Sequence, residues 1–246
     1  DTDRSRGLGD VYKRQTSSPA KVDVKSATAK SLTYNAKSQT TTIVVNGKTL
    51  TLNKDFKVVS GSLKATKAGT YTVKIKGIGN YSGDTTVKYT VNAQQSYKAT
   101  AAAKTYNAKN QTTKVTVKYG NTVLKRGTDY KITGVTKAKN AGKYKITVKG
   151  INNYKGTKTI YYTINKAAQK SVKVKVNASK KKITVSGVKA KAKVTYKSAN
   201  KKVKVKNGKI TVGKGVKKGT KVRITVKVAA TKNYKAYSKS IIYKVK

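Results

Sequence analysis

Apolar and polar side chains alternate along most of this chain. Tyr71, Val73 and Ile75 are apolar or aromatic, whereas the residues between them are threonine or lysine. Because successive side chains of a β-strand point to opposite faces of a sheet, this alternation predicts strands with one core face and one solvent face. In the first part of the chain such strands are predicted at 41–45, 57–59, 70–76 and 85–91.

A block of sixteen residues occurs twice, at 68–83 and at 141–156. The first copy reads AGTYTVKIKGIGNYSG and the second AGKYKITVKGINNYKG, so the apolar positions are kept while the polar ones change. Repetition of this kind marks a chain built from copies of one folding unit. We therefore expect the two copies to match strand for strand, with Tyr144 equivalent to Tyr71, Tyr154 to Tyr81 and Val148 to Ile75.

Three β-rich modules are predicted, at 22–93, 97–166 and 168–246, with short polar joins between them. The third keeps the alternation but has a different order of turns. Several short strands at regular spacing, separated by glycine and asparagine turns, are typical of β-sandwiches. The predicted fold class is therefore all-β, with three tandem small β-sandwich modules of immunoglobulin-like type in an elongated array.

Residues 1–21 do not share this pattern. They contain no strand alternation and no apolar stretch like that of a signal peptide. Within them, LGDVYKRQ at 8–15 resembles the translated sequencing-adapter read-through found at the ends of metagenomic reading frames. We interpret the segment as such an artefact, with a disordered leader as the alternative.

The first two modules share a spaced set of tyrosine, aspartate and glycine residues. On this set they resemble the Gly-rich, mostly-β repeat modules of bacterial surface proteins of the Tyr-x-Gly-Lys type, although Asn35-Ala36 and Asn107-Ala108 depart from the pattern. The residues that carry the resemblance are Tyr34, Lys37, Gln39, Asp55, Phe56, Ala68, Gly69, Gly77, Asn80, Tyr81 and Gly83, with counterparts from Tyr106 to Gly156.

The third module carries YKSAN at 196–200, NGKITV at 207–212 and KGT at 218–220. Through these residues it resembles a group 2 bacterial immunoglobulin-like domain. Both resemblances imply a stalk or adhesive spacer of a secreted or cell-surface bacterial protein. They imply a place outside the cell or in the cell wall, of a Gram-positive bacterium in particular.

The inventory of reactive side chains argues against an enzyme. The chain has no His, Cys or Glu, and its seven acids are scattered aspartates. Nucleophilic triads, zinc sites and paired carboxylates need the missing residue types. The sequence therefore predicts no catalytic residue, no cofactor, no metal site and no small-molecule substrate.

Two pairs of residues in the repeated modules leave alternatives open. Asp55 and Asp129 either assist an internal Lys–Asn isopeptide bond, as in some Gram-positive adhesins, or accept backbone donors at a turn. Tyr81 and Tyr154 either anchor a turn, with the ring in the core and the hydroxyl at its rim, or stack on carbohydrate. We adopt the turn interpretation for both pairs.

The formal net charge is +51, and residues 167–246 contain 25 Lys and Arg223 without one acid. This exceeds what solubility requires and favours anionic polymers as partners: teichoic acid, capsule, mucin glycans or extracellular DNA. We predict a monomer that does not insert into membranes, and the alternative function is a non-specific nucleic-acid-binding protein. The candidate polyanion-binding residues are Lys201, Lys202, Lys204, Lys206, Lys217, Lys218 and Lys221.

Overall fold

The computed structural model describes residues 18–246, so the adapter-like segment 8–15 lies outside the described residues. These residues form two compact units, 18–94 and 95–246. Helical structure within them amounts to two three-residue 3₁₀ turns, Val24–Ser26 and Lys189–Lys191. All other regular elements are β-strands, which confirms the predicted all-β class. The predicted module boundaries stay a prediction.

The first unit has short strands at its start and two long ones at its end. One of its sheets has the order β3-β11-β9-β7, and another has the order β2-β5-β6. Two small pairs, β1-β10 and β4-β8, complete the pairing. The strands are β1 Val22–Asp23, β2 Thr28–Ala29, β3 Leu32–Thr33, β4 Gln39–Thr40, β5 Ile43–Val45, β6 Lys48–Thr49, β7 Phe56–Gly61, β8 Lys64–Ala65, β9 Gly69–Gly77, β10 Tyr81–Ser82 and β11 Asp84–Asn92.

The alternation read from the sequence places the core of this unit between its sheets. Val73 and Ile75 of β9 are fully buried, and so are Ile43 and Val45 of β5 in the other sheet. All four belong to one hydrophobic cluster, so the two sheets pack face to face as a sandwich. The hairpin between β5 and β6 turns at Asn46-Gly47, where both residues have positive φ as a type I′ turn requires.

The amino-terminal part of the second unit repeats this arrangement. Its main sheet has the order β13-β20-β19-β17, which matches β3-β11-β9-β7 strand for strand, and β12-β15-β16 and β14-β18 are its other pairings. Tyr144 lies directly opposite Tyr162, just as Tyr71 lies opposite Tyr89. The strands are β12 Lys98–Ala101, β13 Lys104–Thr105, β14 Gln111–Thr112, β15 Val115–Tyr119, β16 Thr122–Val123, β17 Tyr130–Gly134, β18 Lys137–Ala138, β19 Gly142–Gly150 and β20 Thr157–Asn165.

Between Asp55 and Ala68 the first copy has one residue more than the second copy has between Asp129 and Ala141, and a β-bulge accommodates it. Strand β7 is one residue longer than β17, and its register against β9 shifts between Val58 and Ser60. The extra residue, Val59, is half exposed. A bulge opposes two residues of one strand to one of its partner, so the pairing on either side keeps its phase.

The tyrosine pair at the centre of each copy differs in one hydrogen bond. The rings stack with centroids 5.2 Å apart in both copies. The Tyr89 hydroxyl donates to the carbonyl oxygen of Ser62 at 3.1 Å, whereas the buried Tyr162 hydroxyl has no partner among the described residues. Burial raises the pKa of the Tyr162 hydroxyl, and the neighbouring Tyr144 raises it further.

Replacing Tyr162 by phenylalanine is expected to raise the free energy of unfolding by about 1 kcal/mol, because a buried hydroxyl without a partner costs about 1–3 kcal/mol. Tyr89→Phe is the matched control, and it should lower the free energy of unfolding by about 1 kcal/mol through loss of its hydrogen bond. Urea denaturation of the two variants measures the difference. Equal destabilisation by both substitutions would mean that the Tyr162 hydroxyl is hydrogen-bonded in solution.

The carboxy-terminal part of the second unit, which we call the basic segment (residues 168–246), has two sheets of its own. Their orders are β21-β22-β25-β24 and β23-β26-β27. Val174 and Ile183 of the first sheet share one core with Ile224 and Tyr243 of the second. The strands are β21 Lys173–Asn177, β22 Lys182–Ser186, β23 Val194–Ser198, β24 Val203–Lys206, β25 Lys209–Val212, β26 Lys221–Val228 and β27 Tyr237–Lys244.

Within the second unit, Asn233 joins the basic segment to the residues that precede it. Its side-chain oxygen accepts the backbone N–H of Ala141 at 2.8 Å, and its side-chain nitrogen donates to Asn140 Oδ1 at 3.0 Å. Beside it, the Tyr234 ring packs edge-on against Tyr106 with centroids 5.3 Å apart. These contacts use both hydrogen-bonding atoms of the Asn233 amide, so they orient this side chain in a single way.

Candidate polyanion-binding surface

The four predicted lysines at 201–206 lie on and beside the edge strand β24. In this strand Val203 is buried and Val205 partly buried, so Lys204 and Lys206 point to solvent on the opposite face. Lys201 and Lys202 lie in the preceding turn, where the backbone N–H of Lys202 donates to Asn200 Oδ1 at 2.9 Å. All four side chains are exposed. These four lysines therefore present exposed ammonium groups, and the sheet and the turn hold their backbone in place.

The other three predicted lysines lie on the opposite sheet. Lys217 and Lys218 belong to the turn before β26, and the turn is closed by the Thr220 hydroxyl, which donates to the Lys217 carbonyl oxygen at 2.6 Å. Lys221 is the first residue of β26 and lies directly opposite Lys244. All three are exposed. Of the seven predicted residues, Lys204 and Lys206 thus lie in one sheet and Lys221 in the other, and the remaining four lie in the turns before these strands.

The pairing of strands brings five lysines together. One of them, Lys206, is among the seven predicted residues, and the other four are not. Lys209 of β25 lies directly opposite Lys206 on one side and directly opposite Lys182 on the other. Lys180 and Lys181 precede Lys182 in the turn between β21 and β22, and these three lysines border an open concavity of about 320 Å³ together with Lys209. We call these five residues the lysine cluster: Lys180, Lys181, Lys182, Lys206 and Lys209.

The local sequence contained part of the signal for this cluster. Lys180 to Lys182 are consecutive, and Lys206 and Lys209 flank an Asn-Gly turn. The Asn-Gly pair is a hairpin-turn signal by its composition, whereas the three consecutive lysines carry no such signal. Only the pairing of β22 with β25 places one turn beside the other, and no periodicity in the sequence predicts that pairing.

Like charges directly opposite each other in a sheet are destabilising. Two unit charges 4 Å apart in water repel by about 1 kcal/mol, and flexible lysine side chains lower this by spreading apart. Carboxylates relieve little of the repulsion: among residues 18–246 the structure has one ion pair, between Lys25 Nζ and Asp23 at 3.9 Å. Both of its side chains are largely exposed, so this pair contributes little to stability. An anion at the lysine cluster would replace repulsion by attraction.

A second concavity, of about 440 Å³, lies in the amino-terminal part of the second unit. Its lining includes Lys98 and Lys118, which lie directly opposite each other across β12 and β15, together with Thr100 and Thr116. It combines two ammonium groups with hydroxyl groups, whereas the lysine cluster brings together five ammonium groups. The basic segment therefore has the denser positive charge.

Asp55 and Asp129 have equivalent positions and equivalent contacts in the two copies. Each carboxylate accepts a backbone N–H from four residues earlier, from Thr51 and Lys125 respectively, at 2.8 Å. This is the turn-stabilising role expected of an aspartate that satisfies local backbone donors. The geometry supports that interpretation of both aspartates.

Tyr81 and Tyr154 lie in the core, as the turn interpretation predicts. Their exposed fractions are 6% and 4%, which leaves no ring face for a sugar. Tyr154 packs edge-on against Tyr97 and Tyr119, with centroids 6.3 and 5.9 Å away. These tyrosines are structural anchors of the turn before the last long strand of each copy.

Neither a metal-binding cluster nor a membrane-spanning helix is found among residues 18–246. No group of three or more histidine, cysteine or acidic side chains in residues 18–246 is placed to hold a metal ion. In the same residues, no helix has the length and apolar character needed to cross a bilayer.

The paired sheets and their shared cores define an all-β protein of β-sandwiches. No family model matches the chain. No curated protein matches it either.

Solved structures with tandem β domains are similar at low identity. The three N-terminal domains of the bacteriophage RB49 highly immunogenic outer capsid protein are 12% identical, with 89% of this chain and 97% of that chain covered and a TM-score of 0.34. Drosophila N-cadherin EC1-4 is 11% identical, with 89% and 73% covered and a TM-score of 0.26. Drosophila OTK extracellular domains 3-5 are 9% identical, with 92% and 97% covered and a TM-score of 0.30. The fold assignment rests on the strands and their pairing, since similarity at this level carries no argument about function.

Proposed function

We propose that this protein is a non-catalytic structural or adhesive stalk segment of a secreted or cell-surface bacterial protein. Its place is outside the cell or in the cell wall, of a Gram-positive bacterium in particular. Its lysine-rich surface associates with anionic polymers, namely teichoic acid, capsule, mucin glycans or extracellular DNA. The chain acts as a monomer without a cofactor or a small-molecule substrate.

One observation carries this proposal. The strands of the basic segment direct valine and isoleucine inward and lysine outward, and the segment contains no carboxylate side chain. Its positive charge therefore faces solvent without an internal counter-charge. Lysine outnumbers arginine 53 to 5, and lysine is a point charge without the planar fork that reads base edges. Such a surface attracts polyanions by charge and does not select their sequence.

The proposal is tested by binding of the full chain to teichoic acid, heparin and double-stranded DNA. The variant Lys201→Gln/Lys202→Gln/Lys204→Gln/Lys206→Gln should lose affinity for all three polymers by a similar factor, because it removes charge that every polymer uses. The control removes four exposed lysines of the first unit, where aspartates are also present, and should have a smaller effect. The control substitutions are Lys57→Gln, Lys74→Gln, Lys76→Gln and Lys88→Gln.

Biolayer interferometry at fixed ionic strength measures these affinities. Binding of DNA alone would favour the alternative, a non-specific nucleic-acid-binding protein. If the unaltered chain bound none of the three polymers at low salt, the proposed association would be wrong.

A further inference from the structure

The lysine cluster is built on two turns that are held firmly against each other. The backbone N–H of Ile183 donates to the Gly208 carbonyl oxygen at 2.7 Å, and that of Ile210 donates to the Lys181 carbonyl oxygen at 2.8 Å. Gly208 approaches Ile183 so closely that a side-chain carbon at position 208 would collide with the Ile183 carbonyl oxygen. The two turns therefore have a fixed separation.

Each turn is also fixed internally. The backbone N–H of Lys180 donates to Asn177 Oδ1 at 2.9 Å, which closes the turn between β21 and β22. Asn207 and Gly208 have φ values of 48° and 80°, the type I′ geometry of a tight hairpin. Lys181 has a φ of 47°, which is uncommon for a residue other than glycine. The five lysines thus project from backbone positions that are set before any ligand arrives, which lowers the entropic cost of binding.

Adjacent strands are about 4.8 Å apart, so Lys206, Lys209 and Lys182 form a row about 10 Å long across three strands. Lys180 and Lys181 add two ammonium groups at the end of this row, around the concavity that Asn207 also lines. Lysine ends can move by several ångströms, so the row can match anionic groups spaced a few ångströms apart.

The chemistry of the cluster favours phosphate over carboxylate. Its charged groups are all lysine ammoniums, each of which donates up to three hydrogen bonds in any direction. A phosphate group presents several anionic oxygens around one centre and can accept from ammoniums that approach from different strands. A carboxylate presents two coplanar oxygens, which match the planar fork of arginine better.

We propose that the lysine cluster is a binding site for closely spaced phosphate groups, as in a short polyphosphate or a phosphodiester polymer. This inference rests on the proposed function, because it assigns one ordered site within a surface that otherwise binds polymers by diffuse charge. Teichoic acid and DNA are two sources of the same phosphodiester chemistry.

The test uses the full chain with sodium tripolyphosphate as the probe, measured by isothermal titration calorimetry at 150 mM NaCl. The variant Lys182→Gln/Lys209→Gln is expected to lower the affinity by about tenfold or more, since it removes two charge-assisted contacts. The matched control is Lys221→Gln/Lys244→Gln, which also removes two exposed lysines that lie directly opposite each other, but on the other sheet. Its expected effect is about twofold, through net charge alone. Thermal melts of both variants show that the fold is kept.

Several outcomes would overturn the inference. Equal losses in the two variants would show that the charge acts diffusely, and the proposed function would still stand. Citrate that bound as tightly as tripolyphosphate, with the same loss in the Lys182→Gln/Lys209→Gln variant, would show that phosphate is not selected. No binding of tripolyphosphate by a chain that does bind long polymers would remove the site but not the proposed function.

Competition then distinguishes the sources of phosphodiester. A glycerol-phosphate teichoic acid and a single-stranded oligonucleotide are each added to the tripolyphosphate complex. Displacement by either polymer supports the extension to polymers, and the one that acts at the lower phosphate concentration is the preferred source. Displacement by neither would confine the site to short phosphates and overturn that extension.

Discussion

Raising the NaCl concentration from 50 to 200 mM is expected to weaken the binding of a long anionic polymer to this protein by about 10³-fold. A protein that neutralises about six to ten phosphates releases the counterions condensed on them, and the logarithm of its affinity then falls linearly with the logarithm of the salt concentration. The basic segment has far more exposed lysines than this number requires. Screening acts in the same direction, because the Debye length is about 8 Å at physiological ionic strength.

The slope of this salt dependence reports the number of lysines that contact the polymer. The slope should become shallower by up to about 4 when glutamine replaces Lys201, Lys202, Lys204 and Lys206, because each contact contributes about 0.9 to its magnitude. Fluorescence anisotropy of a labelled polymer, titrated at four or more salt concentrations, measures it. A polymer that stayed tightly bound at 200 mM salt, while others dissociated, would require a specific pocket in place of this charge mechanism.

Replacing Gly187 by alanine is expected to lower the free energy of unfolding of the basic segment by about 2–5 kcal/mol. Gly187 has a φ of +71°, where a residue with a side chain loses about 1–2 kcal/mol. The added carbon would also collide with the carbonyl oxygen of Ser171, whose own hydroxyl donates to the Gly187 carbonyl oxygen at 2.8 Å. Because the Ser171 carbonyl oxygen is a backbone atom, it cannot rotate out of the way as a side chain could. Relieving such overpacking costs about 1–3 kcal/mol more.

Gly219→Ala is the matched control for this prediction. Gly219 has a similar φ of +87°, but apart from its two chain neighbours no described residue has an atom within 4 Å of the position of an added side-chain carbon. Its replacement should therefore cost about 1–2 kcal/mol, which is the conformational cost alone. Chemical denaturation followed by tyrosine fluorescence compares the two variants. Similar losses would show that the segment relaxes around Gly187 and that the close approach to Ser171 is not needed.

The longer strands of the first unit could be predicted from the sequence because their cause is local, whereas its seven two-residue strands were not predicted. Strand β9 alternates buried Val73 and Ile75 with exposed Lys74 and Lys76, and the residue types alone show this period of two. The Asn46-Gly47 turn was predictable for the same reason, since these residue types tolerate positive φ. The repeat then carried the strand prediction, but not this turn, to the second copy, where the residues between β15 and β16 are Gly120 and Asn121.

The candidate site was predicted only in part. Exposed lysines could be recognised, since they occupy the polar phase of alternating strands, as Lys204 and Lys206 do in β24. Their grouping could not be recognised, because Lys182 and Lys209 are far apart in the chain and meet only through the pairing of β22 with β25. The seven predicted lysines were grouped by closeness in sequence, and the structure places three of them in strands of two different sheets and four in the turns before those strands.

The sequence by itself determined that this chain is all-β, that its modules repeat, that its core is valine, isoleucine and tyrosine, and that its surface is strongly basic. Those properties depend on residue type and on a period of two, both of which are local. The tertiary structure alone decided which lysines converge and that Asn233 bonds to Asn140 and Ala141 within the second unit. Contacts of this kind depend on which strands pair and in which register, and distant parts of the chain set them through the burial of a shared core.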